Sequence, residues 1–146
     1  MYQMRYCCVV TLAATMLAGC TSTRPRYQQP AGDPSSLATL KMSQRHLGIF
    51  AIDGADALSV SQYVFSGQGF PESYYVTPGK HTVLAIDGGR ENSMTLWILA
   101  EPGKEYLLRM ESGDHRYRMW FEDASNGRVV GGLVGSDDEP KEPVKK

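Results

Sequence analysis

The residue best placed for covalent chemistry is Cys20, which ends an apolar segment and follows two small residues. As a thiolate, a cysteine is a strong nucleophile. Residues 7–18 before it are uncharged and mostly apolar, with positive charge at Arg5 and the amino terminus. An apolar run of roughly a dozen residues is typical of a signal peptide, and a membrane-spanning helix needs about 20. We therefore expect residues 1–19 to be a signal peptide that is removed.

The stretch Leu17-Ala18-Gly19-Cys20 resembles the lipobox of bacterial lipoproteins. In that class a signal peptidase cuts before the cysteine, whose thiol and new amino group receive fatty acyl chains such as palmitate. The resemblance implies that Cys20 is the lipidation site and anchors the mature protein to a membrane. Thr21 follows Cys20, at the position where lipoproteins retained at the inner membrane often have aspartate. The resemblance therefore favours the periplasmic face of the outer membrane. The alternative is an ordinary signal cleavage with Cys20 merely nearby.

The remaining composition excludes several classes of function. Cys7 and Cys8 lie in the segment expected to be removed, so no thiol pair is left for a disulfide. The net charge is −1 and no basic cluster is present, which argues against nucleic acid as a partner.

The three histidines, His46, His81 and His115, show no spacing typical of a metal site or a catalytic centre. Neither His46 nor His81 has a histidine, a cysteine or a carboxylate two to four residues away, and His115 has only Glu111, at four residues. No Gly-x-Ser-x-Gly element is present either. We therefore expect no metal, no cofactor and no catalytic residue, and a protein that is not an enzyme; a cryptic hydrolase is the less favoured alternative.

Turn signals divide the middle of the chain into short segments typical of strands joined by hairpins. Alternation predicts one buried and one wetter face for residues 105–110 and 116–121, whereas residues 94–99 are expected to form a central strand covered on both sides. These strands suit a single antiparallel two-sheet β-sandwich over residues 45–134. Residues 20–44 and 135–146 are polar or proline-rich and are expected to be a flexible tether and a disordered charged tail. The turn signals are Asp53-Gly54, Pro78-Gly79, Asp87-Gly88-Gly89, Pro102-Gly103, Ser112-Gly113-Asp114 and Ser125-Asn126-Gly127. The residues expected to point inward are Tyr106, Leu108, Met110, Tyr117, Met119 and Phe121.

The order of these sequence motifs resembles that in small envelope lipoproteins with a transthyretin-like or PEGA-like β-sandwich. The resemblance is carried by Ile52-Asp53-Gly54, by Pro78-Gly79-Lys80-His81 before a strand, and by Pro102-Gly103. It implies a non-catalytic structural or protein-binding module and transfers no site residue.

Aromatic side chains near the long stretch 55–73 are the candidates for a contact surface. Burial in the core is the alternative for them. Arg116 and Arg118 beside Trp120 are candidates for a cationic face toward an anionic polymer such as peptidoglycan or lipopolysaccharide, with a solvated strand face as the alternative. The aromatic candidates are Tyr63, Phe65, Phe70, Tyr74 and Tyr75.

These observations favour a lipid-anchored protein that binds an envelope protein and acts in envelope structure or assembly. The alternative is a periplasmic module that binds a small molecule or a glycan between the stretch 55–73 and the sheet.

Replacement of Cys20 tests the anchor. Metabolic labelling with a clickable fatty acid should tag the wild-type protein and leave Cys20→Ala untagged, because that variant lacks the acylated thiol. Equal labelling of both proteins would show that the lipid is attached elsewhere.

Overall fold

The computed structural model describes residues 24–58, 70–90, 92–113 and 116–140. This part of the chain is all-β, as predicted, with one 3₁₀ turn at Pro34–Ser36 and no α-helix. The strands are β1 Ala38–Met42, β2 Leu47–Ile52, β3 Ala55–Asp56, β4 Ser73–Val76, β5 Gly79–Asp87, β6 Asn92–Ala100, β7 Glu105–Gly113, β8 Arg116–Asp123 and β9 Val129–Leu133.

All nine described strands belong to one curled sheet that forms a half-barrel, in the order β3-β2-β5-β6-β9-β8-β7-β1-β4. The predicted division into two sheets is not confirmed. A purely antiparallel arrangement is wrong, because β1 runs parallel to β7. The turn at Pro102-Gly103 also differs from the hairpin expected there, since it joins β6 to β7 and these strands are not neighbours.

Strand β1 lies inside the range predicted to be a tether. It pairs with β7 on one side and β4 on the other, so it is an interior strand. Ala38 and Leu40 are completely buried on its inner face. Asp33 caps the preceding 3₁₀ turn, its carboxylate accepting a hydrogen bond from the Ser35 amide at 2.8 Å. The folded part therefore begins well before residue 45.

One face of the sheet forms the core, because side chains alternate between faces along each strand. The predicted inward positions Tyr106, Leu108, Met119 and Phe121 are confirmed as buried. The buried core residues are Ala38, Leu40, Leu47, Ile49, Ile52, Tyr74, Val76, Val83, Ala85, Leu96, Ile98, Ala100, Tyr106, Leu108, Met119 and Phe121. Curling lets these side chains from all parts of the sheet meet.

The segment 25–29 contacts both end strands of the sheet. The Tyr27 amide donates to the Asp56 carbonyl on β3 at 2.9 Å. The Tyr27 hydroxyl donates to the Tyr75 carbonyl on β4 at 2.6 Å, and the Gln29 side chain accepts from the Tyr75 amide at 3.0 Å. Both end strands are short and partly covered by this segment, which limits pairing with other chains there.

Residues 135–140 also contact the sheet, in contrast to the tail predicted from residue 135 onward; residues 141–146 lie outside the described part. Glu139 pairs with Lys80 on β5 at 2.6 Å and accepts the Gly135 amide at 2.6 Å. The Gly135 amide and then the Lys80 ammonium lower the pKa of Glu139. On β6, the Trp97 indole donates to the Ser136 hydroxyl at 3.3 Å.

Two buried tyrosines differ in how their hydroxyls are satisfied, and this gives a matched pair of variants. Tyr106 accepts the Glu101 amide at 2.8 Å, whereas the buried hydroxyl of Tyr74 has no hydrogen-bond partner among the described residues. Tyr106→Phe should lower the free energy of unfolding by about 1 kcal/mol, and Tyr74→Phe should leave it unchanged or raise it by up to about 1 kcal/mol. Urea unfolding measures both; a larger loss for Tyr74→Phe would contradict this assignment.

The same tyrosine predicts a loss of stability at alkaline pH. Burial raises the pKa of Tyr74 from 10.0 to about 12. Because the folded protein holds this proton more tightly than the unfolded chain, the stabilisation is complete below about pH 10 and is lost between about pH 10 and 12. Tyr74→Phe should therefore lose less stability than the wild type over this interval, as followed by thermal melts at stepped pH. Parallel curves would contradict the raised pKa.

Candidate binding site

The predicted aromatic surface does not form one exposed patch. Tyr74 and Tyr75 are adjacent in β4 and point to opposite faces, so Tyr74 is 4% exposed in the core and Tyr75 is 36% exposed. Tyr74 is thus corrected from a surface candidate to a core residue. Cys20, Tyr63 and Phe65 lie outside the described residues.

Phe70 is half-buried over the backbone of β2. A Cβ atom at Gly48 would lie 2.4 Å from Phe70 Cδ1, so only glycine allows the ring to lie there. An open cavity of about 650 Å³ lies beside this ring and is bordered by Lys41, Arg45 and Glu72. This is the cavity that a small-molecule site near the stretch 55–73 would use.

The contact most like a catalytic dyad is between His81 and Asp53. His81 Nδ1 lies 2.6 Å from Asp53 Oδ2, and His81 Nε2 lies 2.6 Å from the Thr77 carbonyl oxygen. The other carboxylate oxygen of Asp53 accepts the Thr82 amide at 2.8 Å. Both ring nitrogens therefore face acceptors, which leaves neither free to act as a general base. The geometry is that of a structural contact joining the turn after β2 to the turn before β5.

The other histidines form no metal site in the part of the chain that the structure describes. His46 Nε2 lies 4.0 Å from Asp87 Oδ1, and His115 is outside the described residues. No group of three or more potential ligands is found among the described histidine, cysteine, aspartate and glutamate residues.

An opening of the core lies beside β9, between β6 and β8. Strand β8 pairs with β7 over its whole length, from Arg116 to Asp123, but with β9 only at Phe121 and Glu122. Strand β9 ends at Leu133, opposite Leu96 of β6. No pair in this register joins the first five residues of β8 to β9. We call this opening the β9 cleft; it has a volume of about 840 Å³.

Core-facing side chains reach solvent at the β9 cleft. Leu133 is paired with Leu96, which is completely buried, yet Leu133 is 50% exposed. Met94 and Tyr117 are only half-buried although they pack against the core. Burial and the neighbouring Asp87 carboxylate raise the pKa of Tyr117 to about 12. The core is therefore open at this point.

Two tryptophans line the cleft from the outer face of the sheet. Trp97 donates to Ser136, as described above, and the Trp120 indole donates to Glu122 Oε1 at 2.8 Å. This hydrogen bond and then Arg109, whose Nε lies 2.9 Å from Glu122 Oε2, lower the pKa of Glu122. Both indole N–H groups are thus already bonded within the protein.

Adjacent glycines set the shape of this cleft. A Cβ atom at Gly131 would lie 2.4 Å from the Trp97 carbonyl oxygen, so β9 approaches β6 closely there. A Cβ atom at Gly132 would lie 3.9 Å from Trp97 Nε1, an ordinary contact distance, and the Trp97 side chain is buried.

Charges of both signs lie on the rim of the cleft. Arg118 on β8 is directly opposite Glu111 on β7, and Asp138 lies on the same rim. Arg118 thus has a carboxylate residue opposite it, no side-chain position is described for Arg116, and the cationic face considered for these residues stays a prediction. Sequence inspection singled out Arg118 and Trp120 but missed Trp97, Val129 and Leu133, although Gly131-Gly132 within a strand was a usable signal of a close approach.

No protein-family model matches the chain, and no significant similarity to a curated protein or a solved structure is found. In the described residues no helix is long and apolar enough to cross a bilayer. The functional inference therefore depends on the geometry of the cleft and on the sequence motifs.

A double-mutant cycle tests the structural role of His81. His81→Ala and Asp53→Ala should each destabilise the protein, and the two losses should overlap by about 1 kcal/mol because both variants remove the same hydrogen bond. Thermal or urea unfolding gives the three values. His46→Ala, at a largely exposed ring, is the control and should change stability by less than about 0.5 kcal/mol. Additive losses at His81 and Asp53 would contradict the contact.

Proposed function

We propose that the protein is an outer-membrane lipoprotein whose domain binds a protein partner on the periplasmic side and has no catalytic role. The observation that carries this proposal is the β9 cleft, where core-facing apolar side chains are open to solvent in the middle of the sheet. Exposed apolar patches of this kind mark sites of interaction. Val129 and Leu133 are 61% and 50% exposed beside the cleft.

The chemistry of the lining favours binding over catalysis. Among its described residues the cleft has no histidine and no cysteine. Its hydroxyl at Ser136 accepts the Trp97 indole, and Glu122 behind Trp120 is held by two donors. A reaction would need a nucleophile beside a free base, and these contacts supply neither.

The proposed anchor would orient the cleft away from the membrane. Cys20 precedes Pro25 by five residues, a span of at most about 18 Å. Pro25 and Tyr27 contact β3, and Tyr27 also contacts β4, so the anchor would hold these two ends of the sheet near the bilayer. Strand β9 is the fifth of nine in the sheet order and lies opposite the ends of a curled sheet. A partner in the periplasm would then reach the cleft freely.

The resemblance to transthyretin-like and PEGA-like modules supports the same function, since most such modules have no assigned catalytic activity. We infer that the two halves of the curled sheet, β3-β2-β5-β6 and β9-β8-β7-β1-β4, correspond to the two layers of such a sandwich.

The cavity beside Phe70 favours a second candidate function, which is binding of a small molecule or glycan. Lys41 and Arg45 at its border would suit an anionic group. Lys41 is already paired with Glu105, which reduces the charge available to such a ligand.

Site-specific photo-crosslinking in cells tests the proposed function. A benzophenone amino acid at Leu133, in the cleft, should give a discrete protein adduct. The same group at Leu99, which is 47% exposed on β6 outside the cleft, should not. Cys20→Ala should weaken the Leu133 adduct, because the domain would no longer be confined at the membrane. Absence of an adduct at Leu133, or equal adducts at both positions, would contradict the proposal.

A further inference from the structure

We propose that the β9 cleft takes an extended peptide segment of the partner, which adds a strand in line with β9 and pairs with the free edge of β8. This inference rests on the proposed protein-binding function and names the form of the partner. It requires a free strand edge, apolar contacts on both faces of the added strand, and compatible charges at the rim.

The free edge is the first requirement. Along a strand, successive backbone N–H and C=O groups point to alternate sides, and β7 takes one side of β8. On the other side the ladder with β9 contains only Phe121–Gly131 and Glu122–Val129. The register with β9 extends no further toward the start of β8, so among the described strands residues 116–120 are paired with β7 alone. Strand addition supplies such partners through the main chain of the peptide.

The neighbouring strand β6 defines the other wall. Its last contact with the end of β9 is the hydrogen bond from the Val134 amide to the Thr95 carbonyl at 3.0 Å, and the chain then turns away. From Asn92 to Met94, β6 pairs only with β5 among the described strands. Among the described strands, the cleft is therefore an unfilled position between the β5–β6 and β7–β8 hairpins.

The side chains around this position match a strand with two apolar faces. Alternate residues of the peptide would face the core side, where Met94, Met119 and Leu133 line the cleft. The residues between them would face the outer side, against Trp97 and Trp120. An incoming strand would thus cover the open end of the core and pack against both indoles.

The charges and hydrogen bonds favour a peptide over a glycan. A sugar needs many free hydrogen-bonding groups around an aromatic platform, but both indole N–H groups are bonded within the protein. The exposed charged groups lie at the rim, where Glu111 and Asp138 outnumber Arg118. We therefore expect a partner segment with apolar groups on both faces and a basic residue at its flank.

Intrinsic fluorescence gives a direct binding assay, because the only two tryptophans of the chain line the cleft. The probe is a soluble nine-residue peptide, Lys-Thr-Val-Thr-Val-Thr-Val-Thr-Lys, added to the full-length protein in detergent. It should shift the emission to the blue with saturation. The matched control peptide is N-methylated at the alternate residues whose amides would face β8; it should bind at least tenfold more weakly, because strand pairing is blocked while the side chains are kept.

Two protein variants localise the binding. Leu133→Lys should weaken binding of the probe peptide at least tenfold, because a charge would lie where the apolar strand packs. Leu99→Lys, at a similarly exposed leucine outside the cleft, should leave binding unchanged. Circular dichroism of both variants checks that the sheet is intact.

The other outcomes decide against the proposal. If binding is unchanged by N-methylation, whichever set of alternate residues carries it, strand pairing is overturned. A shift with chitotetraose and none with the peptide would assign the cleft to a glycan, and no shift with either probe would overturn the peptide site. A dimer in analytical ultracentrifugation that Leu133→Lys abolishes would assign the cleft to a second copy of the chain. In each case, if Leu133 still gives a protein adduct in cells, the proposed protein-binding function is supported although the peptide site is not. Failure of the peptide site can therefore be distinguished from failure of the protein-binding function.

Discussion

The fold depends on one constraint: a single sheet must cover its own apolar face. In the described residues no helix and no second sheet lies over the buried side chains. Burial of apolar surface is the main driving force of folding, so the sheet must curl until its ends approach each other. Segment 25–29 connects these ends, and Tyr27 packs against the core between them. The interior position of β1 serves the same purpose, because it extends the sheet to β4.

The β9 cleft follows from this constraint. A curled sheet closes its core only where every position in the strand order is filled, and β9 has five residues between neighbours of nine and eight. Where β9 ends, Met94 and Leu133 face the core side but reach solvent. The same arrangement explains why the proposed binding surface lies in the middle of the sheet, whereas its short outer edges are partly covered. The domain would then hold its anchor and its binding site at opposite sides.

Sequence patterns predicted the features that depend on neighbouring residues. Alternation placed Tyr106 and Phe121 in the core, and the all-β class is confirmed for the described residues. The patterns failed where pairing between strands that are distant in the sequence determines the structure. Residues 38–42 look like part of a polar linker, yet they form an interior strand that buries Ala38 and Leu40, because β7 and β4 lie on either side. The turn at Pro102-Gly103 has hairpin chemistry, but it joins strands that are separated in the sheet. The cleft could not be predicted, since it arises from the unequal lengths of β6, β8 and β9.

Hydrogen exchange at β8 tests the central claim most directly, because amide protection reports whether a strand edge is paired. In the isolated full-length protein, residue-resolved exchange should show alternating behaviour over residues 116–120. Amides that point to β7 should exchange slowly, and those that point to the cleft should exchange at least a hundredfold faster. Residues 121–122, which also pair with β9, should be protected throughout. Uniform protection of residues 116–120 would show that the edge is already filled and would contradict an open strand position.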